Sequence, residues 1–262
     1  MPFLTARWSN LCLLTYAVPP ELLAPRLPKG LELETRDGRA FVSLVAFDFL
    51  DTRVLGVPWP GYRDFAELNL RYYARRPGER GVIFLREIVQ SRCVAGIARA
   101  LYNEPYVTAP LTTTLTETEC NLTASRELIW AGRTHTISVT GGKPGCYADE
   151  GCDTHYFKEL RWGYGCDRRG RTIRYEVEHP VWETYPVESY TLDFDWASVY
   201  GPEWAFLANN RCRSSSPPAL RSPSPASRAW RSRHETHASA ACTAARVFSS
   251  PVRTTVAASC DQ

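Results

Sequence analysis

Short runs in which apolar side chains alternate with polar ones, or follow one another unbroken, recur through the first 200 or so residues, each bounded by Gly, Pro, Asn or Asp. A period of two places successive side chains on opposite faces of an extended chain, whereas a helix needs apolar residues three and four apart. The pattern predicts strands over 6–16, 30–35, 40–51, 64–75, 81–89, 108–117, 121–130, 133–140, 157–166, 171–178 and 187–194. Helical spacing is confined to 20–27, which opens on prolines, 92–102 and 196–206. Asp167-Arg168-Arg169-Gly170 and Ala131-Gly132 lie between strand patterns as hairpin turns. Many strands with no repeated strand-helix-strand rhythm imply a mainly β (α+β) domain whose curved antiparallel or mixed sheet closes on itself, with a few short helices.

The apolar segment near the N-terminus is limited to 11–18 by Arg7, Asn10, Pro19 and Pro20, too short for a signal peptide or a membrane span. Nine scattered cysteines, an odd number in a chain long enough to bury a core, are then expected to be reduced thiols, and the expected location is cytoplasmic. Asn121-Leu122-Thr123 is correspondingly expected to carry no glycan.

The formal charge of +3 averages two unlike regions. Residues 211–262 hold eight arginines against one Glu and one Asp, a charge of +6, which leaves −3 for residues 1–210. The first region therefore offers no basic stripe for phosphates, and no nucleic-acid partner is expected for it. The second is Arg, Ser, Ala, Pro and Thr with one Leu and no Ile, which buries too little apolar surface to offset chain entropy. A domain of residues 1–208 and a disordered tail of residues 209–262 follow. Three readings of the tail are open: a basic Ser-Pro arm, an idle extension, or an arginine-rich coding sequence read out of frame from near Asn209 or Asn210. The last fits the composition best.

Three places carry groups suited to chemistry. In 64–75 the strand period puts Phe65, Glu67, Asn69, Arg71 and Tyr73 on one face and Ala66, Leu68, Leu70 and Tyr72 on the other. The second face is core; the first is either solvated or the polar lining of a cavity. The strand 81–89 is apolar on both faces except for Arg86 on one and Glu87 on the other, so each charge meets a partner or a cavity. Asn103-Glu104-Pro105-Tyr106 ends a helix: Asn103 suits a helix stop, and Pro105 forces Glu104 out of helical geometry. That corner is either a plain turn or a fixed mount for Glu104 and Tyr106.

The stretches MPFLTARWSNLCLLTYAVPPELLAPRLPKGLELETRDGRAFVSLVAF and TRVLGVPWPGYRDFAELNLRYYAR, with YNEPY and the late WGYG and RYEVEHPVWETYPV, resemble the YqjF-like proteins, domain of unknown function 2071, of the acetoacetate decarboxylase-like superfamily. The resemblance runs from Met1 to about residue 207. It implies a cone-shaped β-barrel around an enclosed pocket. In the decarboxylase branch a lysine just after a Glu-Pro-like turn forms a Schiff base with a β-keto acid; here Tyr106 stands at the matching place, and the chain's only lysines are Lys29, Lys143 and Lys158. A phenol makes no iminium, so no Schiff-base decarboxylation is expected. What remains is a pocket with Glu104, Glu67, Glu87 and Tyr106 as candidate proton-transfer groups and Arg71, Asn69 and Asn103 as candidate substrate-binding groups, needing no cofactor and no metal.

Rival signals are weaker. Cys146, Cys152, His155 and Cys166 lack the spacing of a compact zinc ligand pair, and Asp153, His155 and Glu159 have no nucleophile elbow beside them. His179 before Pro180 reads as structural, and Gly141-Gly142-Lys143-Pro144-Gly145 lacks the ending of a phosphate loop. Two function classes stay open: a lysine-independent lyase or isomerase acting on a small carboxylate or carbonyl compound, and a protein that binds or senses such a ligand without converting it. An out-of-frame tail would add a third, an inactive product. Oligomeric state is not legible.

Overall fold

The structure is a computed structural model that describes residues 4–58, 63–209, 212–213, 242–248 and 252–259. In chain order it holds β1 (Leu4–Val18), α1 (Pro20–Leu23), β2 (Glu32–Leu33), β3 (Ala40–Val54), β4 (Phe65–Arg76), β5 (Glu79–Val89) and α2 (Arg92–Tyr102). Then follow β6 (Tyr106–Thr108), β7 (Leu111–Glu117), β8 (Asn121–Trp130), β9 (Arg133–Gly142), β10 (Cys146–Tyr147) and α3 (Asp153–Lys158). The last elements are β11 (Trp162–Cys166), β12 (Thr172–Glu178), β13 (Glu183–Asp193), α4 (Trp196–Tyr200), β14 (Cys212–Arg213), β15 (Cys242–Phe248) and β16 (Val252–Ser259). The class is mainly β with few, short helices.

Neighbouring strands run β16-β12-β11-β5-β4-β3-β1-β15-β13-β9-β8-β7, mostly antiparallel, with β5 parallel to β6 and β11. β16 also pairs with β1. The path ends at β7, so the sheet as a whole is not a closed barrel. β8 and β9 turn through Ala131 (φ 50) and Gly132 (φ 78), both left-handed as a two-residue hairpin requires.

The long central strands are buried on both faces. On one side Leu68, Leu70, Tyr72, Ile83, Ile88, Trp196 and Trp204 form the larger core. On the other, Phe41, Val45, Phe47, Phe49, Phe65, Val82 and Phe157 form a second, aromatic one. β4 alternates between them residue by residue, as its period predicts. β5 does so except at one place: Leu70 pairs Arg86 while Arg71 pairs Phe84, so Leu85 and Arg86 together face one residue of β4. This β-bulge keeps Phe84 and Glu87, three residues apart, on the same side of the sheet.

Several predicted elements are corrected. Residues 157–166 do not form one strand: Phe157 lies in α3, whose first turn holds Asp153 and whose N-cap, Cys152, accepts from the His155 amide at 3.4 Å. The strand expected over 108–117 is broken at Ala109-Pro110, where Pro110 has no N–H for the ladder; β6 pairs with β5 and β7 with β8. The stretch 196–206 stops being α-helix at Gly201 (φ 121) and continues as a 3-10 helix over Pro202–Asn209. Within the segment assigned to the tail, residues 242–248 and 252–259 are extended. β15 pairs with β1 and β13, and β16 with β12 and β1. A strand takes its backbone partners from neighbours already in place, so a composition poor in Leu and Ile does not bar it. Apart from Asn209 and β14, the rest of the segment assigned to a disordered tail, and residues 59–62 of the family-like stretch, lie outside the described residues.

Candidate functional site

β3, β4 and β5 carry one residue of every pair into the space under the aromatic core, and α2 delivers a third element to it. Ser91 caps α2, its Oγ accepting from the Val94 amide at 3.4 Å, and Asn103 closes the helix at φ 52. Pro105 then turns the chain so that β6 runs parallel to β5, with Tyr106 beside Glu87. Across β4 and β5, Asn69 sits opposite Glu87 and Glu67 opposite Val89.

The result is a cavity of about 150 Å³ whose wall includes Glu67, Asn69, Arg71, Glu87, Glu104 and Tyr106. Six of the seven residues singled out from sequence therefore share one enclosure. The seventh does not: Asn103 is exposed, and its side-chain amide donates to the Cys166 carbonyl at 2.7 Å. That bond ties Asn103 to the end of β11 and holds its side chain out of the cavity wall.

Hydrogen bonds order the polar end. Glu67 accepts from Asn69 Nδ2 at 2.9 Å and from the Tyr106 hydroxyl at 2.9 Å, one on each carboxyl oxygen. Arg71 Nη2 donates to the Phe157 carbonyl at 3.1 Å. Tyr175, on β12, hydrogen-bonds Glu104. Four buried atoms here have no protein partner: Asn69 Oδ1, Arg71 Nε, Glu87 Oε2 and Glu104 Oε1. Glu67, Glu87 and Glu104 are 2%, 3% and 7% exposed, so these carboxyls lie away from bulk water.

Burial penalises the charged form and raises all three acids. Glu67 is pushed up to about 7, held back by the hydrogen bonds from Asn69 and Tyr106 and the charge of Arg71. Glu104 is pushed up to about 8 by burial, against its bond from Tyr175. Glu87 is raised well above the usual carboxylate range by burial and by Glu104 and Glu67 beside it. All three carboxyls thus keep their protons further up the pH scale than a solvated acid does, an environment that suits proton transfer near neutrality.

None of the three lysines lines the cavity. Lys29 is exposed, Lys143 pairs with Glu117, and buried Lys158 pairs with Glu159 and donates to the Trp182 carbonyl at 3.2 Å. Cys152 caps α3, and His179 Nε2 lies 3.4 Å from the Leu160 carbonyl.

Sequence reasoning passed over Tyr175 and, Phe65 apart, the apolar wall of Trp8, Phe47, Phe49, Phe84 and Ile97. A signal for Tyr175 was present in the glycine alternation of WGYG. Gly163 pairs with Tyr175 across β11 and β12, and a Cβ at Gly163 would fall 2.2 Å from its ring. Gly163→Ala is expected to push Tyr175 off Glu104 and to lower stability by about 1–3 kcal/mol, the usual cost of overpacking. Urea unfolding checks this; an unchanged midpoint and slope would show that the ring has room to move.

The fold is that of the acetoacetate decarboxylase-like proteins. The acetoacetate decarboxylase of Legionella pneumophila superposes with a TM-score of 0.57 at 12% identity, over 98% of this chain and 84% of that one. An acetoacetate decarboxylase-like enzyme of Sphingomonas wittichii RW1 gives 0.59 at 11%, over 98% and 91%. The enduracididine biosynthesis enzyme MppR, in its complex with pyruvate, gives 0.58 at 14%, over 99% and 90%. Within that fold the chain belongs to DUF2071, a family of uncharacterized conserved proteins whose model matches residues 5–224. The match extends past residue 208, where composition had placed the end of the domain. The uncharacterized protein YqjF of Bacillus subtilis is 31% identical over 105 residues, 40% of this chain and 43% of that protein, so less than half of the relative is spanned. Among the described residues no helix is long and apolar enough to cross a membrane.

Proposed function

We propose that the cavity binds a small carbonyl- or carboxylate-bearing compound and moves protons on it without a Schiff base, as an isomerase or lyase. The observation that carries this reading is the meeting of three carboxyls from β4, β5 and the Asn103–Tyr106 corner, two of them with an unpartnered oxygen, inside a hydrocarbon wall. Buried polar groups left unpaired cost free energy, and a ligand that pairs with them recovers it.

Glu67 takes a proton from the carbon beside the substrate carbonyl. The C–H electron pair becomes a C=C bond, and the C=O pair moves to oxygen, which takes a proton from Glu104 or Glu87. Return of the proton to a different carbon completes an isomerisation, and expulsion of a β-substituent completes an elimination. A curved, cone-shaped surround for these polar groups is part of this proposal. The small-ligand complexes of neighbours such as MppR with pyruvate support it by analogy of fold alone.

Incubation with small ketones and keto acids in deuterium oxide, followed by proton NMR, is expected to show enzyme-dependent loss of α-protons. Borohydride added during turnover is expected to leave the protein mass unchanged. Ligand-induced thermal stabilisation with no exchange would make the protein a binder and sink the catalytic reading; a borohydride-stable adduct would sink its Schiff-base independence.

We also propose that the composition change near Asn209 is a shift of reading frame. Sequencing the coding region tests it, and an intact frame with the same extension in a related protein would overturn it.

A further inference from the structure

A ligand entering the cavity brings its own charge into a space that already holds three carboxyl groups and one guanidinium. Among the described residues no lysine or histidine lines that space, and Arg71 is the one cationic wall residue. Arg71 already donates to the Phe157 carbonyl, and its charge acts on Glu67. A substrate carboxylate placed here would compete with Glu67 for the charge of Arg71, with no second cation among the described wall residues to offset it. A buried anion without a partner is strongly disfavoured.

An uncharged carbonyl meets the opposite situation. Its oxygen accepts from an acidic O–H on Glu87 or Glu104, whose Oε2 and Oε1 have no other partner. Its body lies against Trp8, Phe47, Phe49 and Phe65, which pack ring to ring with centroids 4.6–5.5 Å apart. Space limits that body: a cavity of about 150 Å³ holds a molecule of roughly benzene size.

We propose that this cavity is built for an uncharged ketone or aldehyde with a short hydrocarbon or single-ring body, and that it turns keto acids away. The proposal rests on the proton-transfer reading and adds the substrate's charge to it. It departs from what fold resemblance suggests, because the pyruvate held by MppR is an anion.

The test uses a shape-matched pair on the full chain: methyl isoamyl ketone, and levulinate, in which a carboxylate replaces the terminal branched methyl pair. Deuterium exchange at the α-carbons and thermal shift are measured for each, with butylamine as a cationic probe. The expected result is exchange and stabilisation by the ketone, with levulinate exchanged at least about tenfold more slowly. Levulinate exchanged as fast as the ketone would overturn the charge assignment and leave proton transfer standing. Stabilisation by the ketone without exchange would uphold the ligand class and sink the catalytic reading. Greater stabilisation by butylamine, with proton release, would overturn the proposal in favour of a cation site, and no response to the ketone would overturn it outright.

Discussion

Raising the pH from 6.5 to 8 is expected to destabilise the folded chain by something on the order of 3 kcal/mol. The sign follows from the buried carboxyls. In the unfolded chain each ionises near the usual carboxylate value, whereas in the fold Glu67 holds its proton to about 7, Glu104 to about 8, and Glu87 to well above the usual carboxylate range. Below the unfolded value all are protonated in both states, and no penalty exists. As pH rises towards the folded values the unfolded chain alone releases protons, so each group withdraws about 1.4 kcal/mol per pH unit until it ionises in the fold as well. His135 acts oppositely: burial lowers it, so acid below its ordinary value favours unfolding, and 6.5 to 8 is the window where the carboxyls dominate. Thermal melts across that range should show a falling midpoint, and Glu104→Gln should flatten the slope. A wild-type midpoint that stayed level or rose would mean that the three acids are not buried as described.

The largest catalytic effect is expected at Glu67. Glu67→Gln keeps the shape and much of the hydrogen bonding to Asn69 and Tyr106 but cannot take a proton, and a positioned general base contributes about 10²- to 10⁴-fold. Exchange of ketone α-protons should fall by that factor, with ligand-induced stabilisation largely kept. Tyr106→Phe removes one hydrogen bond to the base and leaves the carboxyl, so it should cost far less. Equal losses in both variants would point to Tyr106 as the proton acceptor and would displace Glu67 from the role proposed for it.

Much of this site was legible because it rests on strand parity, a local property. Glu67, Asn69 and Arg71 share a face of β4 for the reason that Leu68 and Leu70 share the other, and the opposition of Arg86 and Glu87 follows the same rule. Whether the polar face was wet or enclosed was not a local property. It depended on α2 and on β12, distant in sequence, closing over it. Tyr175 was missed for that reason, its place being set by Gly163 across a strand pair. Asn103 lies outside the cavity because its side chain, although next to a candidate acid in sequence, is turned to the Cys166 carbonyl of β11. The strand expected through Phe157 failed where a short helix start outweighed an apolar run. For the segment after Asn209, composition reports only how much a stretch can bury, whereas strands such as β15 and β16 draw on the free backbone groups of their neighbours.

The doubled step at Leu85 and Arg86 has a further consequence for how this family can vary. Deleting Leu85 would restore strict alternation in β5 and leave Phe84 two residues from Glu87, still on the same side of the sheet. Keeping the residue but flattening the bulge would instead send Phe84 to the tryptophan-rich layer and turn Ile83 in the other direction. Relatives that lack this one residue together with the bulge should therefore enclose the same side chains, and those that keep the strand's length without the bulge should not, even where every acid is retained.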